Sequence, residues 1–294
     1  MSLKLRFFDI RNIYQIKPII FDKDHVHLSN YLYKYRKLIS ILILICIHHK
    51  SFHTYLDLIK VLPIASIHIL RTLPSIVYHG LLRKYYRLTY PTLTNCILTN
   101  KHIIMFVHGR GGHSNDFIPL IENLKPLVSD EYHFKTIDLG DTRTTSVDEE
   151  AHKIKEVLAL YIDCQITLIG LSKGGLDILY YINNIPDKRI RAAITISSPL
   201  KGTKITSVLP EDSITHKELG FQSDLTTKLY NKEYKIPVYH VVPKWDHMII
   251  PTSSAGYVHT NPSHIYYYNG SYSHTGIIYD IDIAKTISKW LPKL

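Results

Sequence analysis

The chain of 294 residues is long enough for one large domain or two modest ones. Its 45% hydrophobic and 11% aromatic content supplies a packed core, and only 13 Gly and 14 Pro exclude a fibrous or disordered chain. The net charge of +10 resides in the first hundred residues, where fourteen Lys and Arg face four acids (Asp9, Asp22, Asp24, Asp57); the remainder holds twenty-one of each sign. A basic segment beside a neutral domain suits an anionic partner, or a solvated face that keeps an apolar segment soluble. Its cations are interleaved with aliphatics rather than clustered, so no nucleic-acid partner is expected. Cys46, Cys96 and Cys164 are odd in number and far apart, which reads as free thiols in a reducing, intracellular compartment. The sequon Asn269-Gly270-Ser271 is the one counter-hint.

Residues 1–100 form a basic, apolar, mostly helical segment with no Glu and a single Gly, Gly80. Its most apolar run, 38–47, is about half the roughly 20 residues that a helix needs to span a bilayer. It lies too far from Met1 for a cleavable signal peptide. The later runs 61–70 and 72–82 are short and interrupted by Pro63, Arg71 and Pro74. Three arrangements are open: helices packed on the downstream domain as a cap, an in-plane or re-entrant membrane anchor, or a true span. The Tyr-rich cationic flanks at 34–37 and 83–87 suit a lipid headgroup layer, and equally a cap whose Lys and Arg stems snorkel.

From residue 101 to 294 short apolar runs alternate with amphipathic ones. Strands are expected at 103–107, 134–137, 165–169, 190–197, 236–242 and 264–269. Helices are expected at 116–128, 146–161, 173–183 and 277–290. Ser146 followed by Glu149 is a capping box. The expected fold class is α/β, with a mainly parallel sheet covered on both faces. In such sheets sites lie beyond the C-terminal ends of the strands.

Gly170-Leu171-Ser172-Lys173-Gly174 stands between an apolar strand and a helix. A serine on so sharp a turn needs glycine two residues before and two after, where side chains would collide. This motif resembles the nucleophile elbow of the α/β-hydrolase superfamily, on its lipase and esterase side, and the likeness covers about 101–294. The resemblance implies Ser172 as nucleophile. It implies an oxyanion loop at His108-Gly109-Arg110-Gly111-Gly112, with the backbone N–H groups of Arg110 and Lys173 as donors. It implies Asp246, after the 236–242 strand, as the acid and His274, after the last strand, as the base, in the Ser-Asp-His order of that fold. Asp212 and Asp224 are poorer acids because no strand precedes them; His259 and His264 are the alternative bases. Pro199-Leu200-Lys201-Gly202-Thr203 resembles a loop of lipases and of GPI inositol-deacylase-like proteins. Gly109, Gly111, Pro199 and Leu200 are candidates for the substrate pocket, and 203–235 is the candidate cap.

No zinc or nucleotide motif is present, and the pairs His25/His27 and His48-His49 lack a carboxylate or Cys companion, so neither metal nor cofactor is expected. The expected activity is hydrolysis of carboxylic esters, lipid esters above all, at a membrane surface reached through residues 1–100. A thioesterase or amidase of the same fold, and a non-catalytic descendant that binds or anchors, are the alternatives.

Overall fold

The structure is a computed structural model of the chain, and it describes residues 52–91, 97–210, 212–256 and 264–292. The 38–47 run, the 34–37 flank, the four paired histidines, Cys46, Cys96 and His259 lie outside the described residues.

Strands β2 (His102–Val107), β3 (Tyr132–Ile137), β5 (Gln165–Leu171), β6 (Ile190–Ile196), β7 (Val238–Pro243) and β8 (Ile265–Tyr268) form one sheet. Its order is β3-β2-β5-β6-β7-β8, and each neighbouring pair is parallel. Two-residue strands β1 (Leu98–Thr99) and β4 (Tyr161–Ile162) pair separately. Because successive strand side chains face opposite ways, β2 divides between two cores. Ile103, Met105 and Val107 join one core with helices α3 (Val147–Leu158) and α4 (Lys173–Asn184). Ile104 and Phe106 join the other with α2 (Ile118–Leu124) and α7 (Ile281–Trp290). Helices therefore cover both faces, as expected for strands that are apolar on both sides.

The chain leaves β2 toward β3 on one side and then crosses to β5 on the other. That change of direction opens a crevice at the C-terminal ends of β2 and β5.

Several boundaries differ from the sequence reading for local reasons. The 116–128 helix is a 3₁₀ turn (Ser114–Phe117), then α2, then a second 3₁₀ turn (Lys125–Leu127), because Pro119 and Pro126 each start a new segment. The last helix is likewise divided: Asp280 ends the turn Gly276–Tyr279 and caps α7 by accepting from Asp282 N. The capping box of α3 is present in full, with Ser146 and Glu149 bonded reciprocally. The interrupted apolar runs before residue 90 form a single 38-residue helix, α1 (Phe52–Thr89), which contains both Pro63 and Pro74. Helices α5 (Ile214–Leu219) and α6 (Asp224–Tyr230) lie in the 203–235 segment.

Candidate active site

Ser172 follows β5 and starts α4 with φ 57° and ψ −124°, a conformation outside the ordinary regions. The turn is possible because its neighbours lack side chains. A Cβ on Gly170 would come within 2.4 Å of Gly174 O, and one on Gly174 within 2.3 Å of Val107 O. The strained turn lifts Ser172 Oγ out of the sheet into the crevice.

His274 meets this serine across 102 residues of chain, and Asp246 meets His274 across 28. His274 Nε2 is 2.8 Å from Ser172 Oγ, and His274 Nδ1 is 2.7 Å from Asp246 Oδ2. Asp246 is fully buried, and its other oxygen accepts N–H groups from Met248 (2.8 Å) and Ile249 (3.1 Å). Two backbone donors orient the Asp246 carboxyl, and as an acceptor toward Nδ1 it holds the imidazole with its proton on that nitrogen. Nε2 is then free to accept the serine proton. The neighbouring His247, held by burial at a pKa of about 4, is neutral at pH 7 and adds no competing cation beside His274.

The glycine loop after β2 lies against the elbow. A Cβ on Gly109 would be 2.9 Å from Ser172 Cβ and 3.1 Å from Lys173 N, so only glycine permits this approach. Among the described residues, the backbone N–H groups of Arg110 and Lys173 have no acceptor, which leaves both available beside Ser172 Oγ. The loop is held from below by His108, which bonds to Gly109 O (3.0 Å) and to Leu139 N (3.1 Å). Thr142 Oγ1 accepts from Gly111 N and donates to Gly109 O.

A cleft of ≈ 470 Å³ opens over Ser172 and His274. Gly109, Arg110 and Pro199 line it, whereas Leu200 is buried in a hydrophobic core and Gly111 turns toward Arg143. One wall comes from the candidate cap, through Ile205, Val208, Leu209 and Leu219. The opposite wall comes from α1, through Ile76, Gly80 and Arg83. Thr203 ties the Pro199–Thr203 turn to the acid's loop, donating to Met248 O and accepting from Ile250 N. Asp224 starts α6, and the His264 ring packs against Tyr239 at a tilt of 48°.

Sequence reasoning missed the part played by α1. His68 Nδ1 is 2.8 Å from Asp246 O. Ser75 Oγ accepts from Ser273 N, the residue before His274, and bonds to Ser273 Oγ. Arg83 and Arg87 both pair with buried Asp116, and Arg87 also reaches Gly111 O. One helix therefore holds the acid loop, the histidine loop and the glycine loop together. Also missed was the Lys173 side chain, which is buried beneath the elbow against Glu150.

No family model matches the chain. It is 30% identical over 104 residues, 34% of its length, to the biotin biosynthesis bifunctional protein BioHC of Teredinibacter turnerae, and the match spans 18% of that relative. Among solved structures, a lipase-esterase related protein of Clostridium acetobutylicum is similar with a TM-score of 0.47 and 16% identity, over 65% of this chain and 95% of that one. Naproxen esterase of Bacillus subtilis is similar with a TM-score of 0.45 and 14% identity, over 65% and 83% of the two chains. A gene product of Listeria innocua gives 0.49 and 16% over 66% and 95%. In this chain's own topology, a parallel sheet places a strained serine turn at the point where strand order reverses, and later strands deliver acid and histidine to it. The chain is built on the α/β-hydrolase fold.

Proposed function

We propose that the protein is a serine hydrolase of carboxylic esters that works through an acyl-enzyme on Ser172. The observation that carries this reading is the unbroken relay from Ser172 Oγ through His274 to Asp246, at 2.8 and 2.7 Å, on a strained strand-to-helix turn. His274 Nε2 takes the hydroxyl proton as Ser172 Oγ attacks the acyl carbon. The carbonyl oxygen becomes an oxyanion and receives the N–H groups of Arg110 and Lys173. Asp246 stabilises the imidazolium without taking its proton. Collapse expels the alcohol, which leaves with the proton from His274. Water then repeats the cycle, returning its proton through His274 and releasing the acid.

The aliphatic lining of the cleft, from Ile76, Ile205, Val208, Leu209 and Leu219, favours an acyl chain over a polar substrate and so supports lipid esters met at a membrane surface. A fluorophosphonate probe tests the nucleophile. Wild type labels and Ser172→Ala does not; equal labelling of both, or none of a folded wild type, refutes the assignment. A series of p-nitrophenyl esters tests the acyl preference, and a preference for acetyl over octanoyl refutes the lipid reading.

A further inference from the structure

Helix α1 is inside out. Large aliphatic side chains normally face a protein's interior and polar ones face water. Here the buried positions facing the catalytic loops include Thr72, Ser75 and His79. The outward positions are Ile64, Ile67, Leu70, Val77, Leu81 (67% exposed) and Leu88 (76%). They are separated by three, four or seven residues, that is by one or two helical turns, so they form one stripe along the helix. A contiguous apolar stripe of this length marks an interaction surface.

Charge says what covers it. From Val61 to Thr89 the helix has no Asp or Glu. Arg83 and Arg87 are consumed by Asp116, which leaves Arg71 and Lys84 exposed along the helix. Arg71 and Lys244 both stand 5.5 Å from the centroid of Trp245, which packs on His68 of α1. Aliphatics flanked by Trp, Tyr and cations, without acids, match the layering of a leaflet with anionic headgroups. Val61–Thr89 is long and apolar enough to cross a bilayer. It is nevertheless held to the catalytic loops from His68 to Arg87, roughly 28 Å of helix at about 1.5 Å per residue. A helix fastened lengthwise to a folded domain lies along a membrane rather than through it.

The cleft opens on this same helix. Gly80 lines it, is exposed, and would meet no atom within 4 Å if given a Cβ. Ile76 lines the cleft and Val77 lies on the stripe, so the two surfaces are contiguous.

We propose that α1 lies in the plane of an anionic bilayer leaflet with its Ile64-to-Leu88 stripe among the acyl chains, and that a lipid ester passes from the leaflet to Ser172 through the gap beside Gly80. The entry route rests on the hydrolase reading above; the docking does not.

The test uses the full chain with vesicles of phosphatidylcholine, with and without 30 mol% phosphatidylserine, the composition chosen to give about the negative surface potential of a cytoplasmic leaflet. Wild type and Ser172→Ala co-sediment with the anionic vesicles. The double variant Ile67→Glu/Leu81→Glu binds them at least ~10-fold more weakly, since charges enter a leaflet at high cost. That variant hydrolyses p-nitrophenyl butyrate as wild type does, because neither residue lines the cleft. Gly80→Trp keeps vesicle binding but loses at least ~10-fold in hydrolysis of a vesicle-embedded ester relative to the soluble one. Docking is overturned if folded wild type ignores anionic vesicles, if the double Glu variant binds as well as wild type, or if the stripe instead closes a dimer that the Glu variant dissociates. The entry route alone is overturned if Gly80→Trp leaves the ratio of vesicle-embedded to soluble ester hydrolysis as in wild type, whether both rates are normal or both fall together. Vesicle binding without hydrolysis of any ester refutes the hydrolase reading and leaves docking standing.

Discussion

The Lys173 side chain and the Lys173 backbone have separate tasks, and a charge-removal pair separates them. The ammonium is 2% exposed, pairs with fully buried Glu150 and donates to Thr145 O at 2.8 Å. Asp177 lies beside them without exposure; burial first, and the Glu150 charge second, push its pKa well above the usual carboxylate range. The cluster is thus one cation, one anion and one neutral acid. Lys173→Met leaves the Glu150 anion buried without its cation, and removing one partner of a buried pair costs about 3–5 kcal/mol. Lys173→Met/Glu150→Gln removes both charges, so it regains ~2–3 kcal/mol of that loss. Urea unfolding followed by the fluorescence of Trp245 and Trp290 measures both. The double variant keeps the Lys173 N–H, so its kcat/KM stays within about threefold of wild type, against the ~10²–10³-fold loss typical of a missing oxyanion donor. A single-variant loss below about 1 kcal/mol, or a double variant as unstable as the single, refutes the compensated-pair reasoning.

Asp246→Asn keeps the shape but removes the charge that orients His274. Its kcat on p-nitrophenyl butyrate falls by roughly 10³–10⁴-fold with KM little changed, and a loss below about tenfold removes Asp246 from the relay. Asp177→Asn tests the neutral acid through pH. Its native pKa is raised, so the folded chain keeps a proton that the unfolded chain releases above about pH 4. Wild-type stability therefore carries no penalty from Asp177 below that pH and loses stability as pH rises above it. The variant, free of that penalty, gains in urea midpoint over wild type at pH 7 to 8 and not at pH 4. A difference between the two proteins that does not change with pH refutes a protonated Asp177.

The legible parts of this molecule are those governed by contacts between near neighbours in the chain. Gly170 is required by sterics within five residues, since a Cβ there would meet Gly174 O, so the elbow was readable as a local pattern; the collision that excludes a Cβ on Gly174 is with Val107 O, which only the folded sheet brings near. The apolar runs of β2 and β5 and the Ser146–Glu149 capping box are local in the same sense. The meeting of Asp246 and His274 with Ser172 was expected from the resemblance and from the place of each residue after a strand, not from any pattern around the residues themselves. With 18 histidines in the sequence, no single His carries a local signature, and only the folded sheet selects one.

The tertiary structure alone decided the fate of buried polar groups. Lys173, between a serine and a glycine, has the sequence of an exposed cation; it is buried because Glu150, twenty-three residues earlier, is placed beneath it. Asp116 belongs by sequence to the first turn of a helix, yet it also anchors Arg83 and Arg87 of α1. Helix α1 departs furthest from a sequence reading, because periodicity assigns its aliphatics to the interior. Thr72, Ser75 and His79 are buried instead, and polar groups along this face find distant partners: Ser75 meets Ser273 across 198 residues and part-buried His68 meets Asp246 across 178. Sterics and periodicity act over a few residues and leave a pattern in the sequence. A buried polar group is tolerated only where the fold supplies its partner, and that partner can lie anywhere in the chain.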